Sequence, residues 1–173
     1  MSLPKRAVAL LAGLMAVSLP AIAADPLPVP QHLSGADAMA PQALAARRYG
    51  AFWNSGDERF AREALAPDFT DRTLPPGRPQ GVAGPLAASK AFRTAVPDLT
   101  ATIEDMVVAG DRVSARYRFQ GHFTGQFGAR RGTGQTIDFQ AFDLYRIADG
   151  RITENWHLED NLTLLRQLGG IQD

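Results

Sequence analysis

The sequence predicts an α+β domain in which a cone-shaped, curved antiparallel sheet wraps around helices from the N-terminal half. Three observations predict it. Apolar residues recur at helical spacing through the first half of the chain, the period changes to alternation after Leu99, and a last helical segment, NLTLLRQLGG, follows the strands. Helices segregated from strands in this way indicate α+β rather than α/β architecture. A sheet bent over a long helix leaves an open end, which is a natural ligand pocket.

The first helix lies in APQALAARRYGAFWNSGD, where Leu44, Tyr49, Phe52 and Trp53 share a broad face and Pro41 suits a first helical turn. ERFAREAL is a second, short helix, and Pro67 separates it from the short strand DFTDRTL. The proline- and glycine-rich segment Pro75 to Pro85 reads as a loop long enough to rim a pocket, and LAASKAFRTAVP as a third helix stopped by Pro97. Four long strands follow, Thr100 to Val108, Arg112 to Phe123, Gln135 to Ile147 and Arg151 to Glu159. Their turns are AGD, GQFGARRGTG and ADG, and glycine ends the closing helix.

Before the first helix, Lys5 and Arg6 precede an apolar run from Ala7 to Leu19 and small residues near Ala23. The run is shorter than the roughly 20 residues a bilayer span needs. Residues 1–23 therefore read as a secretory signal peptide, with cleavage after Ala23 or next Ala24, and a periplasmic or secreted location is expected. The proline-rich DPLPVPQ makes residues 24–38 a flexible spacer, which leaves 39–173 as a single domain with no membrane association after leader removal.

Eighteen Lys and Arg balance eighteen Asp and Glu, and no long basic block occurs, so nucleic acid is not an expected partner. Three scattered histidines and the absence of cysteine give no metal-ligand spacing. No phosphate loop, dinucleotide fingerprint or nucleophile elbow is present. A small molecule is the expected partner. An outward apolar row with Phe142 and Leu144 further suggests cover by a second copy, that is, a homodimer.

Strand phase picks out the candidate acids, because successive side chains point to opposite faces. Asp143 is the charged member of the row Ile137, Phe139, Ala141, Asp143, Tyr145 and Ile147. Asp160 falls in phase with Ile152, Glu154, Trp156 and Leu158. A two-residue Asp149-Gly150 loop pairs Asp143 with Trp156 and puts both aspartates on the cone face, roughly 13 Å apart along the sheet. A three-residue loop with a bulge instead brings Asn155 or His157 beside Asp143. The first register is preferred because it buries Trp156 and Leu158. Asp160 also directly precedes a helix, where aspartate is a good N-cap, so cap and base are both open for it. Asp143 can be a buried, hydrogen-bonded carboxylate or a pocket residue. His122 and His157 fall on the polar phase and read as exposed.

The segments FWNSGD and LAPDFTD, then GHFTGQFG, then FDLYRIADGRITENWHLEDNLTLLRQLG resemble the SnoaL-like polyketide (ester) cyclase family of the nuclear transport factor 2-like superfamily, over about Ala40 to Ile171. The resemblance implies a general acid/base at the aspartate after the last tryptophan, Asp160 here, and a histidine at the position of His122. It implies proton abstraction α to a carbonyl of a small apolar compound, followed by aldol-type ring closure or isomerisation without a cofactor. Asp143, His122 or Tyr145 would stabilise the oxyanion, and Trp53, Phe119 and Trp156 would form walls. The arginine used by limonene-epoxide-hydrolase relatives is replaced by Ala141, which argues against that chemistry. The superfamily fold also carries non-catalytic binding modules, so a ligand-binding protein is the alternative.

Overall fold

The computed structural model describes residues 27–171; the expected leader lies outside them. Helix α1 (Pro41–Ser55) opens with Pro41 in its first turn and ends at Gly56 in the left-handed region. α2 (Glu58–Ala64) is capped by Asp57, whose carboxylate accepts from the Arg59 amide at 2.9 Å. Strand β2 (Leu65–Asp71), helix α3 (Ala83–Ala95) and the long strands β3 (Thr100–Ala109), β4 (Arg112–Phe123), β7 (Gln135–Ala148) and β8 (Arg151–Glu159) follow. A small hairpin, β5 (Gln126–Phe127) and β6 (Arg130–Arg131), interrupts the meander, and α4 (Asn161–Gln167) closes the chain. Together with β1 (His32–Ser34), the main sheet has the order β1-β3-β4-β7-β8-β2.

Two features depart from the expected organisation. Residues 27–38 are not a free spacer: β1 pairs in parallel with β3, and Leu27 and Pro30 are buried. Arg47 of α1 holds this arm by donating to the carbonyls of Leu27, Pro28 and Ala38 at 2.9–3.1 Å. A buried guanidinium needs such acceptors, and the arm supplies them.

The second departure sets the phase of β8. The hairpin turn is the expected two-residue one, with Asp149 and Gly150 at φ 50° and 70°, and Ile147 pairs with Ile152. Arg146, however, pairs with Glu154, so Thr153 is an extra residue and the strand reverses its faces beyond it. Without the bulge, Glu154 would point into the apolar core. With it, Glu154 stands outside in ion pairs with Arg72 and with Arg146. Asn155 and His157 turn inward instead, and His157 becomes the register partner of Asp143. The bulge thus satisfies one acid outside and places polar groups inside.

The core lies between α1 and the concave sheet face, where Tyr49, Phe52, Ile103, Met106, Tyr117, Ile137, Tyr145 and Ile152 are buried. On the convex face Phe142, Leu144 and Leu158 stand exposed, as the outward row anticipated for the first two. Leu158, expected inside, is 74% exposed because of the bulge. No helix of the described residues is long and apolar enough to cross a membrane.

Candidate active site

The cone encloses a cavity of about 340 Å³ between α1, α3, the inner sheet face and the loop after β2. Its walls are aromatic. Phe119 and Phe139 stack at 5.1 Å between ring centres, Trp53 meets Phe119 edge-on at 5.9 Å, and Phe92 leans on Phe139 at 5.8 Å. Pro75, Arg78 and Pro85 of the expected rim loop line it, and Phe127 of the small hairpin lines it too. Reciprocal bonds pin the loop: Gln80 accepts from the Asp71 amide at 2.7 Å and donates to the Asp71 carbonyl at 2.9 Å.

The polar groups gather on neighbouring inward positions of β7, β8 and β2. Asp143 is 7% exposed and lines the cavity. Tyr145 donates its hydroxyl to Asp143 Oδ2 at 2.5 Å. The hydroxyls of Tyr117 and Tyr145 are 2.9 Å apart, and since Tyr145 gives its only proton to Asp143, Tyr117 must donate to Tyr145. Among the described residues no protein group bonds Asp143 Oδ1, so this oxygen is open to a bound molecule. Burial pushes the carboxyl up to about 7, against the opposing pull of the Tyr145 hydrogen bond and the His157 charge. The same burial, together with the Asp143 charge, raises Tyr49, Tyr117 and Tyr145, so all three stay protonated as donors.

His157 sits between two carboxylates, with Nε2 3.1 Å from Asp71 Oδ2 and Nδ1 2.7 Å from Glu159 Oε1. Burial opposes its charged form, but the hydrogen bond and charge of Glu159, followed by the bond to Asp71, raise it to about 9. Glu159 is correspondingly lowered: the bond and charge of His157 outweigh its own burial. At neutral pH the site therefore holds an imidazolium with both ring N–H groups engaged, next to a carboxyl poised near its midpoint. Among the described residues no group of three or more His, Asp or Glu is arranged to hold a metal ion.

The site residues expected from sequence divide sharply. Trp53 and Phe119 are walls and Asp143 is on the floor, whereas Tyr145 does not line the cavity and bonds Asp143 from the core behind it. Asp160 is not in the cavity. It is the N-cap of α4, exposed, accepting from the Thr163 amide at 3.0 Å and from the Thr163 hydroxyl at 2.7 Å, and these bonds lower its pKa. Trp156 lies on the outer face under the Arg112 guanidinium, 5.2 Å from ring centre. His122 is exposed, with Nδ1 2.7 Å from Asp98 Oδ2, and does not reach the cavity. His157, expected at the surface, is instead at the centre, with Asn155, which the alternative register brings near Asp143, and with Asp71, Glu159, Tyr49 and Tyr117, which the sequence did not mark as site residues. The available signal was Glu154, an acid left in the apolar phase of β8 unless the strand slips. Replacing Asp160 by Ala is expected to lower the thermal midpoint slightly, as thermal scans of the variant beside the parent protein would show.

The curved sheet wrapped on helices is the fold of the nuclear transport factor 2-like domains. Within that class this chain belongs to the SnoaL-like polyketide cyclase family, whose model matches residues 43–168. A candidate polyketide cyclase from Bacillus cereus ATCC 10987 is 39% identical over 86% of this chain and 97% of its own, with a TM-score of 0.77. TsrD from Streptomyces laurentii is 30% identical over 79% of this chain and 100% of its own, with a TM-score of 0.69. IdmH, a candidate polyketide cyclase from Streptomyces antibioticus, is 32% identical over 74% of this chain and 98% of its own, with a TM-score of 0.67. No curated protein matches the sequence significantly.

Proposed function

We propose that this chain is an exported, cofactor-free acid/base enzyme acting on a small, largely apolar carbonyl compound, with Asp143 as the proton-transferring group. Asp143 Oδ1 takes the proton from the carbon α to the carbonyl. The resulting enolate either attacks a second carbonyl of the same molecule, closing a ring, or is reprotonated at another carbon, shifting a double bond. In ring closure the proton held by Asp143 passes to the new alkoxide, so the carboxylate is regenerated and nothing is oxidised or reduced. Export is supported by the leader-like pattern of Lys5, Arg6 and the run from Ala7 to Leu19.

One observation carries the reading: a buried carboxyl with one oxygen fixed by Tyr145 and the other unpartnered, at the floor of an apolar cavity, poised at about 7. A base is most effective when its pKa lies near working pH. The Tyr117–Tyr145 chain holds the carboxyl in place as its charge changes. His157 supplies fixed positive charge beside the enolate while its ring protons remain on Asp71 and Glu159.

The test uses β-tetralone, a bicyclic ketone of a size the cavity can hold. Wild type is expected to exchange its α-hydrogens with deuterium oxide without any added cofactor, and Asp143→Asn to lose that exchange. Retention of the ketone with no exchange above background would favour a binding module instead.

A further inference from the structure

Asn155 is a buried polar residue of the cavity that the acid/base scheme leaves unused. It is 3% exposed, it lines the cavity, and its Oδ1 is enclosed without a hydrogen-bond partner. Its Nδ2 makes no protein hydrogen bond among the described residues and is not enclosed as Oδ1 is, so the donor end of this carboxamide keeps access to the cavity. Its neighbours do not share this condition: Asp143 is bonded by Tyr145, and His157 by Asp71 and Glu159. The enclosed Oδ1 is an acceptor and out of a ligand's reach, so the end of Asn155 that can meet a ligand is its Nδ2 donor, whose partner is expected to be an acceptor on the bound molecule.

The sheet register says which part of a ligand it meets. Asn155 pairs with Tyr145, and His157 pairs with Asp143, so Asn155 stands diagonally across from Asp143 on the same inward face. Diagonal neighbours lie roughly 7 Å apart. Proton removal α to a carbonyl needs a base at the α-carbon and a donor at the carbonyl oxygen, each at a contact of roughly 3 Å. The two substrate atoms are two bonds apart, a span that fits between these two side chains.

We propose that the Asn155 carboxamide donates its N–H to the substrate's carbonyl oxygen and stabilises the enolate oxygen as it forms, which specifies substrates that present a ketone or ester carbonyl beside the Asp143 oxygen. This assignment rests on the acid/base reading of Asp143. It also explains the bulge at Thr153 in functional terms, because that extra residue is what turns Asn155 inward.

The experiment uses full-length mature protein and β-tetralone, comparing wild type, Asn155→Leu, Asn155→Ser and Asp143→Asn. Asn155→Leu exchanges an unbonded amide for an apolar group of similar size, so folding is expected to be retained, and Asn155→Ser provides a second variant that keeps a hydroxyl donor. Deuterium exchange should fall roughly 100-fold in kcat in Asn155→Leu, the usual loss on removing one oxyanion donor, with KM little changed and partial rescue in Asn155→Ser. The infrared carbonyl stretch of the bound ketone should sit below the free value in wild type and in Asp143→Asn, and return toward it in Asn155→Leu. A stretch equal in wild type and Asn155→Leu, or at the free value in wild type, overturns the assignment whatever Asp143→Asn does to exchange. Unimpaired exchange in Asp143→Asn alongside an Asn155-dependent stretch would overturn the role of Asp143 instead and leave the carbonyl contact standing.

Discussion

Asp143→Asn is expected to reduce α-proton exchange by roughly 10²–10⁴-fold, the usual contribution of a positioned general base, while making the folded protein more stable above neutral pH. The two effects have one cause. The carboxyl is held at about 7 in the folded protein against an ordinary value of 3.8, because burial penalises its charge. A folded value above the unfolded one means that the associated stability is fully present below about pH 4 and is lost as pH rises through about 7. A shift of this size corresponds to about 4 kcal/mol at most, and about 3 kcal/mol is a reasonable expectation after structural relaxation. Asparagine does not titrate, and its carbonyl can still accept from Tyr145. Urea denaturation of both proteins from pH 4 to pH 8 should therefore show the variant gaining on wild type across that window. Tyr145→Phe provides an internal check: loss of the bond that favours the charged form should move the acidic limb of the exchange profile to higher pH.

The second large effect is expected at His157. His157→Leu would leave the Asp71 and Glu159 carboxylates without the cation they share. Breaking a buried pair by removing one partner typically costs about 3–5 kcal/mol, and screening at half-buried Glu159 brings the expectation here to about 2–3 kcal/mol. The pH dependence identifies the mechanism. His157 is raised from 6.5 to about 9, so the stability it contributes is fully present below 6.5 and disappears as pH rises through about 9. The difference between wild type and variant should be greatest at pH 5–6.5 and shrink toward pH 9. Because the His157 charge also lowers Asp143, the same variant should shift the acidic limb of exchange upward. A pH-independent loss of stability would instead indicate lost packing.

How much of this could be read in the sequence depended on which signal governs each element. Helices α1 and α3 and strands β3, β4, β7 and β8 followed from periodicity, because each buries one face against a single core. The inward row of β7, with Asp143 and Tyr145, was legible for the same reason. The phase of β8 was not. Alternation assumes uninterrupted pairing, and one extra residue at Thr153 exchanged Trp156 and Leu158 for Asn155 and His157. Neither the length of the turn nor the apolar pattern disclosed the bulge. The cost of burying Glu154, relieved by Arg72 from a distant loop, could not be weighed until the fold brought them together. Asp160 illustrates the complementary limit: its local role as a helix cap was readable from the following helix, and the motif resemblance pointed away from it. The arm at residues 27–38 looked mobile by composition but is held by carbonyl contacts with Arg47, nine to twenty residues away in sequence.

The most direct measurement is the titration of Asp143 itself, following its carboxyl-carbon chemical shift in labelled protein and assigning the resonance with Asp143→Asn. A midpoint near 7 is the predicted result: a desolvated carboxyl able to take and return a proton at working pH. A midpoint at or below the ordinary carboxylate value of about 3.9 would contradict it, because Asp143 would then be a permanently ionised structural group and no general base would remain at the floor of the cavity.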